Sequence, residues 1–371
     1  MTSPEQNSAF ATSFFILPAE EPEMQDTSAA IASLKKQLGA NLCIMGHHYQ
    51  NDNVVRHCDI TGDSLELARR VPGIDAAHIV FCGVYFMGES AALLAKPGQS
   101  VHLPSLDADC LMSRMTPAPL ARKVLEQLAA TGRKIIPLAY VNTDLALKAV
   151  VGEFGGAVCT SANAKIMLRW ALDQGDGVLF LPDRHLGNNT AETLGISQEE
   201  RHVLRVGAAG LVQPETQPLD RKLLLWPGCC AIHARFEPDD VEAIRAEYPG
   251  CRVIAHPECR QEVIEACDGA GSTSYLIKEA ARVAAEEPGT TLVVGTENNL
   301  VYRLAERHAG QCRILPLGHA ICSNMAKVTE KKLLTTLQSV AAGAASPLHI
   351  EENLCPPARL SLTRMLEACG N

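Results

Sequence analysis

The sequence predicts an α/β protein built from three similar αβα units, each with a small parallel sheet, around a pseudo-threefold axis. Three observations lead there. Short β-branched or leucine-rich runs alternate with helical stretches of roughly ten to fifteen residues, the pattern of βαβ units and parallel sheets. One plan recurs three times along the chain, and each repeat reaches a cysteine just past its last apolar run. At 371 residues the chain also exceeds the size, roughly 250–300 residues, at which a single core stops growing.

The first unit runs from Asn41–Met45 through Thr61-Gly62-Asp63-Ser64 and Ile79–Phe81 to Val101–Pro104, and reaches Cys110. The second runs from Lys134–Leu138 through Cys159-Thr160-Ser161 and Val178–Phe180 to Leu223–Trp226, and reaches Cys230. The third runs from Arg252–Ala255 through Gly271-Ser272-Thr273-Ser274 and Thr291–Val294 to Arg313–Pro316, and reaches Cys322. Uninterrupted apolar runs such as Leu223–Trp226 suit parallel strands buried on both faces. The repeat sets expected boundaries: a loose tail over 1–26, units over 27–115, 116–235 and 236–335, and a C-terminal helix and tail over 336–371. A first helix is expected over Ile31–Leu38, and Pro347, Pro356 and Pro357 make the last stretch look irregular.

In the middle of each unit, small hydroxyl residues precede a helix, expected at Leu65–Val71, Ala164–Leu172 and Tyr275–Ala285. Such residues cap helices by accepting from the first free N–H groups. Those N–H groups also seat carboxylate or phosphate. Capping alone explains any one cluster, whereas three at the same stage favour a shared role. Polar residues follow the first strand of each unit: His47-His48-Tyr49-Gln50, Tyr140-Val141-Asn142 and His256-Pro257-Glu258. Ligands of open α/β sheets bind beyond the carboxyl ends of strands. These loops and the three cysteines are therefore expected to face one central cavity. Glu258 is the best candidate for proton transfer, with burial raising its pKa toward working pH. For the neighbouring His47, His48, Tyr49, Tyr140 and Asn142, strand capping, packing or a turn remain alternatives.

Fourteen cysteines fit a reducing compartment as free thiols and ligands better than a disulfide framework. Cys43, Cys82 and Cys159 read as packed core. Cys110, Cys230 and Cys322 have no tightly spaced C-x-x-C companions, so only the repeat groups them. Three thiolates suit a [4Fe–4S] cluster with one iron left open as a Lewis acid. A competing set, Cys230 and His233 with His256 and Cys259, carries the two-sulfur, two-nitrogen donors of structural zinc. A zinc-stabilised or iron-storing binding protein and a different hydro-lyase thus stay open, while an electron carrier would normally complete its cluster with a fourth cysteine. No G-x-S-x-G elbow, full G-x-G-x-x-G or Walker loop is present.

A net charge of −9 argues against nucleic acid or anionic membrane as partners. No apolar stretch reaches the ~20 residues that span a bilayer. Phe10–Leu17 lacks the cationic flank of a secretory signal, so the expected location is cytoplasmic.

His47-His48-Tyr49-Gln50, Gly62-Asp63-Ser64-Leu65-Glu66-Leu67, Tyr140-Val141-Asn142-Thr143 and Cys159-Thr160-Ser161-Ala162-Asn163-Ala164 occur in that order. Trp226-Pro227-Gly228-Cys229-Cys230-Ala231-Ile232-His233, His256-Pro257-Glu258-Cys259, Gly271-Ser272-Thr273-Ser274 and Cys322-Ser323-Asn324-Met325-Ala326-Lys327 follow. Together they resemble the quinolinate synthase family. The resemblance implies three αβα domains with one [4Fe–4S] cluster per chain at their junction, held by Cys110, Cys230 and Cys322. W-x-G-x-C-x-x-H spacing selects Cys230 over Cys229. It further implies a transferase that condenses iminoaspartate (iminosuccinate) with dihydroxyacetone phosphate into quinolinate, phosphate and water, for de novo NAD biosynthesis. His47, Ser64, Tyr140, Asn142, Ser161, His256, Glu258, Ser272 and Thr273 would bind substrate, with Glu258, His47, Tyr49 and His233 catalytic. An aspartate oxidase or dehydrogenase would supply the imine.

Overall fold

Three sheets, parallel throughout, organise the computed structural model, which describes residues 23–370. The first holds β1 (Leu42–His47), β2 (Ile60–Gly62), β3 (His78–Cys82) and β4 (Ser100–His102), in the order β2-β1-β3-β4. The second is built from β5 (Ile135–Tyr140), β6 (Ala157–Cys159), β7 (Gly177–Leu181), β8 (Arg201–Val203) and, after the two-stranded hairpin β9 (Val206–Gly207) and β10 (Gly210–Leu211), β11 (Leu223–Leu225). Its order is β6-β5-β7-β11-β8. The third holds β12 (Arg252–Ala255), β13 (Gly269–Ala270), β14 (Thr291–Gly295) and β15 (Arg313–Pro316), in the order β13-β12-β14-β15. One topology is thus used three times, and the middle sheet departs from it only by the added edge strand β8 and the hairpin.

The central strands are continuously buried because helices cover both sheet faces. Registers such as Ile44↔Val80, Leu138↔Phe180 and Ile254↔Val294 stack the apolar runs read from the sequence. Edge strands β2, β6 and β13 have only two or three residues, too few for a recognisable period, yet each delivers the chain to a hydroxyl cluster.

Hydroxyl capping is realised at one of the three clusters. Ser272 accepts from the Tyr275 N–H at the head of helix Thr273–Glu286. Helix Ser64–Arg70 is instead capped by Asp63 in a reciprocal box with Glu66, and helix Ala164–Leu172 begins after Asn163. Ser64 and Ser161 are thereby left free of capping duty.

The first helix spans Glu23–Leu38, so it begins inside the stretch expected as a tail; residues 1–22 of that expectation lie outside the described residues. Helix Glu330–Ala341 crosses the expected boundary at 335. The proline-rich end is more regular than expected, forming helix Cys355–Ala368. Pro356 and Pro357 occupy its first turn, where a missing N–H is no loss. Before it, the Leu348 N–H donates to the Val101 carbonyl within β4 at 2.7 Å; the helix itself lies on helix Leu145–Glu153 and β6. The C-terminal segment therefore ties the first sheet to the second. As expected, Cys43, Cys82 and Cys159 are buried in the cores. No described helix is long and apolar enough to cross a membrane.

Gly152 is where the C-terminal helix comes closest. A Cβ there would sit 1.9 Å from the Pro357 carbonyl oxygen, a backbone atom that cannot swing aside. Arg364 reinforces the contact by donating to the Gly152 and Gly156 carbonyls at 3.0 and 2.7 Å. Gly152→Ala should destabilise the fold by about 1–3 kcal/mol, the usual range for overpacking. The urea midpoint reports this, and an unchanged midpoint would show that the helix is not held there.

Candidate functional site

Parallel strands with one common topology bring the same loops of each unit to the same end of its sheet. At or just past the carboxyl ends of β1, β5 and β12 lie His47 and Tyr49, Tyr140 and Asn142, and His256 and Glu258. Ser64, Ser161 and Thr273 follow β2, β6 and β13, while Cys110, Cys230 and Cys322 follow β4, β11 and β15. All of these residues, with His233, line one cavity of about 120 Å³. Ser272 is the expected site residue that does not, because its hydroxyl is engaged as the helix cap. His48 also lies outside, 3.7 Å from the Glu66 carboxylate.

Glu258, 2% exposed, sits at the centre. Its Oε2 lies 2.6 Å from His233 Nδ1 and 3.4 Å from His256 Nδ1, and the two imidazoles stack with centroids 4.5 Å apart. Its Oε1 has no hydrogen-bond partner among the described residues. Burial alone would raise this carboxyl, as the sequence suggested. The opposite holds: the two imidazoles, with His233 held against Oε2, outweigh burial and keep it below the ordinary carboxylate range. His47 and His256 are pushed down to about 3, first by burial and then by a neighbouring imidazole, so both are neutral at pH 7. Burial, followed by the Glu258 charge, raises Tyr49 and Tyr140 well above the ordinary phenol value and keeps their protons on.

Tyr49 joins the first unit to the third. Its hydroxyl lies 2.8 Å from Thr296 Oγ1 and accepts from the Thr273 hydroxyl at 3.2 Å, while Thr296 Oγ1 is also 3.1 Å from His233 Nε2. Asn142 Oδ1, like Glu258 Oε1, is buried and unpartnered among the described residues. Two acceptors thus stand ready for a ligand's protons.

The three cysteines share a local construction. Each precedes a short helical turn, at Leu111–Arg114, His233–Arg235 and Met325–Lys327, whose backbone N–H groups (Met112 and Ser113, His233, Asn324 and Met325) act to lower the pKa of the neighbouring thiol. Burial raises all three thiols, Cys110 to about 12. Among the described residues no lysine or arginine lines the cavity, so a bound metal is what would draw these thiols to thiolates. Three cysteines lining one cavity are a donor set that could hold such a centre. Cys229 does not line the cavity.

The four-residue zinc set does not assemble, because Cys259 is fully buried with its sulfur 3.9 Å from Gly295 O and away from the cavity. Cys230, His233 and Glu258 do offer donor atoms within 4.8 Å of one another.

Sequence reasoning missed Asp63, whose carboxylate accepts from Ser274 Oγ at 2.6 Å across two units, together with Thr296, Asp183 and Glu297. The last three share a readable signal: a polar residue one or two positions past an apolar strand and just before a helix.

Residues 29–367 match the family model described as quinolinate synthetase A protein. Relatives include the quinolinate synthase of Halalkalibacterium halodurans, 41% identical over 90% of this chain and 91% of that protein. Those of Streptomyces coelicolor (40%; 93% and 89%) and Acidobacterium capsulatum (39%; 92% and 92%) are similar over comparable lengths. With a match over nearly its whole length and the expected loops gathered at one cavity, the chain belongs to the quinolinate synthetase A family.

Proposed function

We propose that the chain condenses iminoaspartate with dihydroxyacetone phosphate to give quinolinate, phosphate and water, on the route to NAD in the cytoplasm, with a [4Fe–4S] cluster on Cys110, Cys230 and Cys322. The observation that supports this reading is that cysteines from three units line one cavity with Glu258, whose Oε1 is unpartnered among the described residues. When bound, such a cluster supplies an iron with an open site, a Lewis acid for a departing hydroxyl.

The chain's own residues supply the rest. Glu258 Oε1 is free to take a proton from the substrate, and His233, held at 2.6 Å on Oε2, can carry charge away from it. Asn142 Oδ1 suits the N–H of the imine. Tyr49 and Tyr140, kept protonated, donate to substrate oxygens. Ser64, Ser161 and Thr273, with the N–H groups heading helix Thr273–Glu286, suit the carboxylates and phosphate of two anionic substrates in a cavity without lysine or arginine. Tyr49, tied to Thr296 and Thr273, closes the wall against water, which protects a hydrolysable imine. An aspartate oxidase or dehydrogenase provides that imine.

Anaerobic purification of Cys110→Ser, Cys230→Ser and Cys322→Ser variants tests the cluster. Each should lose both the visible absorbance of a [4Fe–4S] cluster and quinolinate formation, and a variant that keeps both removes that residue from the set. Glu258→Gln should keep the cluster and lose roughly 10²–10⁴-fold in kcat, the range of general acid–base catalysis; turnover close to wild type would dismiss it as the base.

A pH prediction follows from His47 and His256. Both take a proton near pH 6.5 in the unfolded chain but only near 3 when folded, so the unfolded state binds more protons between those limits. The contribution of each imidazole to stability should therefore fall as pH drops below 6.5, by up to about 1.4 kcal/mol per pH unit, while Asp183 and Glu297, whose carboxyls burial raises, contribute with the opposite sign. Urea midpoints measured from pH 7 to 5 isolate the imidazole by comparison: His47→Asn should lose less stability than wild type as pH drops. An equal slope in the variant would mean that His47 is not buried neutral.

A further inference from the structure

The three cysteines share a second feature that the reaction itself does not require. Each has its backbone N–H held by a carboxylate. The Cys230 N–H donates to Asp183 Oδ2 at 2.9 Å and the Cys322 N–H to Glu297 Oε1 at 3.4 Å, both carboxylates being 0% exposed. The Cys110 N–H donates to Asp109 Oδ1 at 2.8 Å, on the same loop.

In the second and third units the holder comes from the same place. Asp183 and Glu297 each lie two residues past the third strand of their sheet and cap the helix that follows. Asp183 Oδ1 accepts from the His185 and Leu186 N–H groups, both at 2.8 Å, which leaves Oδ2 for Cys230. Glu297 Oε2 accepts from the Asn299 N–H at 2.8 Å, while Oε1 takes Cys322 and the Asn299 side chain. One oxygen thus anchors the holder to a rigid helix, and the other reaches across to the cysteine loop. In the first unit the equivalent helix, Tyr85–Leu94, has Val84 at its cap and no side chain to offer; Asp109, paired with Arg114, takes the role locally.

We propose that Asp183, Glu297 and Asp109 are positioning residues that fix the three cysteine loops through their backbone N–H groups and keep those groups away from the cluster sulfurs. This rests on the cluster reading above. Two consequences follow. The loops are set before metal arrives, with each sulfur facing the cavity. Each cysteine N–H, a donor that could otherwise stabilise a more reduced cluster, is already occupied; hydrogen bonds to sulfur are one of the levers on cluster potential. A cluster kept from easy reduction suits Lewis-acid work.

Asp183→Asn and Glu297→Gln separate this role from capping. Each amide keeps one oxygen for the helix N–H groups, and asparagine is as good a cap as aspartate. Its NH₂ must then face the cysteine N–H, donor against donor. Anaerobically purified holoprotein is compared with wild type for iron loss to an external chelator and for the midpoint potential of the cluster. Both variants should bind iron roughly 10–100-fold more weakly, as losses of ligand-orienting partners do, and show a higher potential. Thr329→Ala, which removes the cap of a helix that makes no hydrogen bond to Cys110, Cys230 or Cys322, should match wild type in both measurements. Iron retention and potential unchanged in both amide variants would overturn the proposal, as would equal iron loss from Thr329→Ala. A wild-type protein that takes up no iron would overturn the cluster reading itself, and the positioning role with it.

Discussion

Parallel pairing is the constraint from which the rest follows. In a parallel sheet every strand ends on the same edge, so every loop leaving a carboxyl end emerges there. Repeating the order second-first-third-fourth in all three sheets, with β8 set aside as the added edge strand of the middle one, assigns one job to each loop position. First strands lead to histidine, tyrosine, asparagine and glutamate; second strands lead to hydroxyls; fourth strands lead to cysteine. When the three edges face one cavity, groups far apart in the chain become neighbours. Tyr49 and Thr296, separated by 247 positions, lie 2.8 Å apart for this reason.

The cavity then faces an electrostatic problem. It buries an ionised Glu258 and is lined by acidic Asp63 and Glu297 and three thiols, with no lysine or arginine among its described walls. Burying an unpaired charge is costly. The structure meets that cost with dipoles and imidazoles: His233 and His256 flank Glu258, and N–H groups of short turns act to lower the neighbouring thiols. Anions in such a cavity can be met only by hydroxyls and free N–H groups among its described walls, and under the proposed function an open iron would add a local Lewis-acid site, which is why the thiols and the hydroxyls belong to one argument.

Much of this is legible in the sequence because it repeats. Apolar runs mark the central strands, and the cysteine after each fourth strand, meaningless singly, becomes a signal as a trio. The edge strands are illegible, since Gly269–Ala270 carries no period at all. Capping is misread at Ser64, because Asp63 beside it forms the reciprocal box with Glu66. The ionisation of Glu258 is not readable either. A sequence shows that a carboxyl follows a strand, but its pKa depends on His233, which arrives from a different unit 25 positions earlier. Pro356 and Pro357 suggest irregularity only because their place in a first turn depends on where the helix begins.

The C-terminal helix shows how a segment outside the repeat can still bear on the cavity. It packs on helix Leu145–Glu153 and β6, the short strand that leads to Thr160 and Ser161. Asn163 then joins the two: its Oδ1 accepts from the Thr160 N–H at 2.6 Å, and its Nδ2 donates to the Cys369 sulfur at 3.3 Å. Thr160 and Ser161 line the cavity, so the end of the chain braces one of the hydroxyl loops from behind. The loops after edge strands β2 and β13 are joined to each other instead, by the Ser274–Asp63 hydrogen bond. Two hydroxyl loops are therefore held by mutual contact and the third by a helix that the repeated sheet topology does not supply.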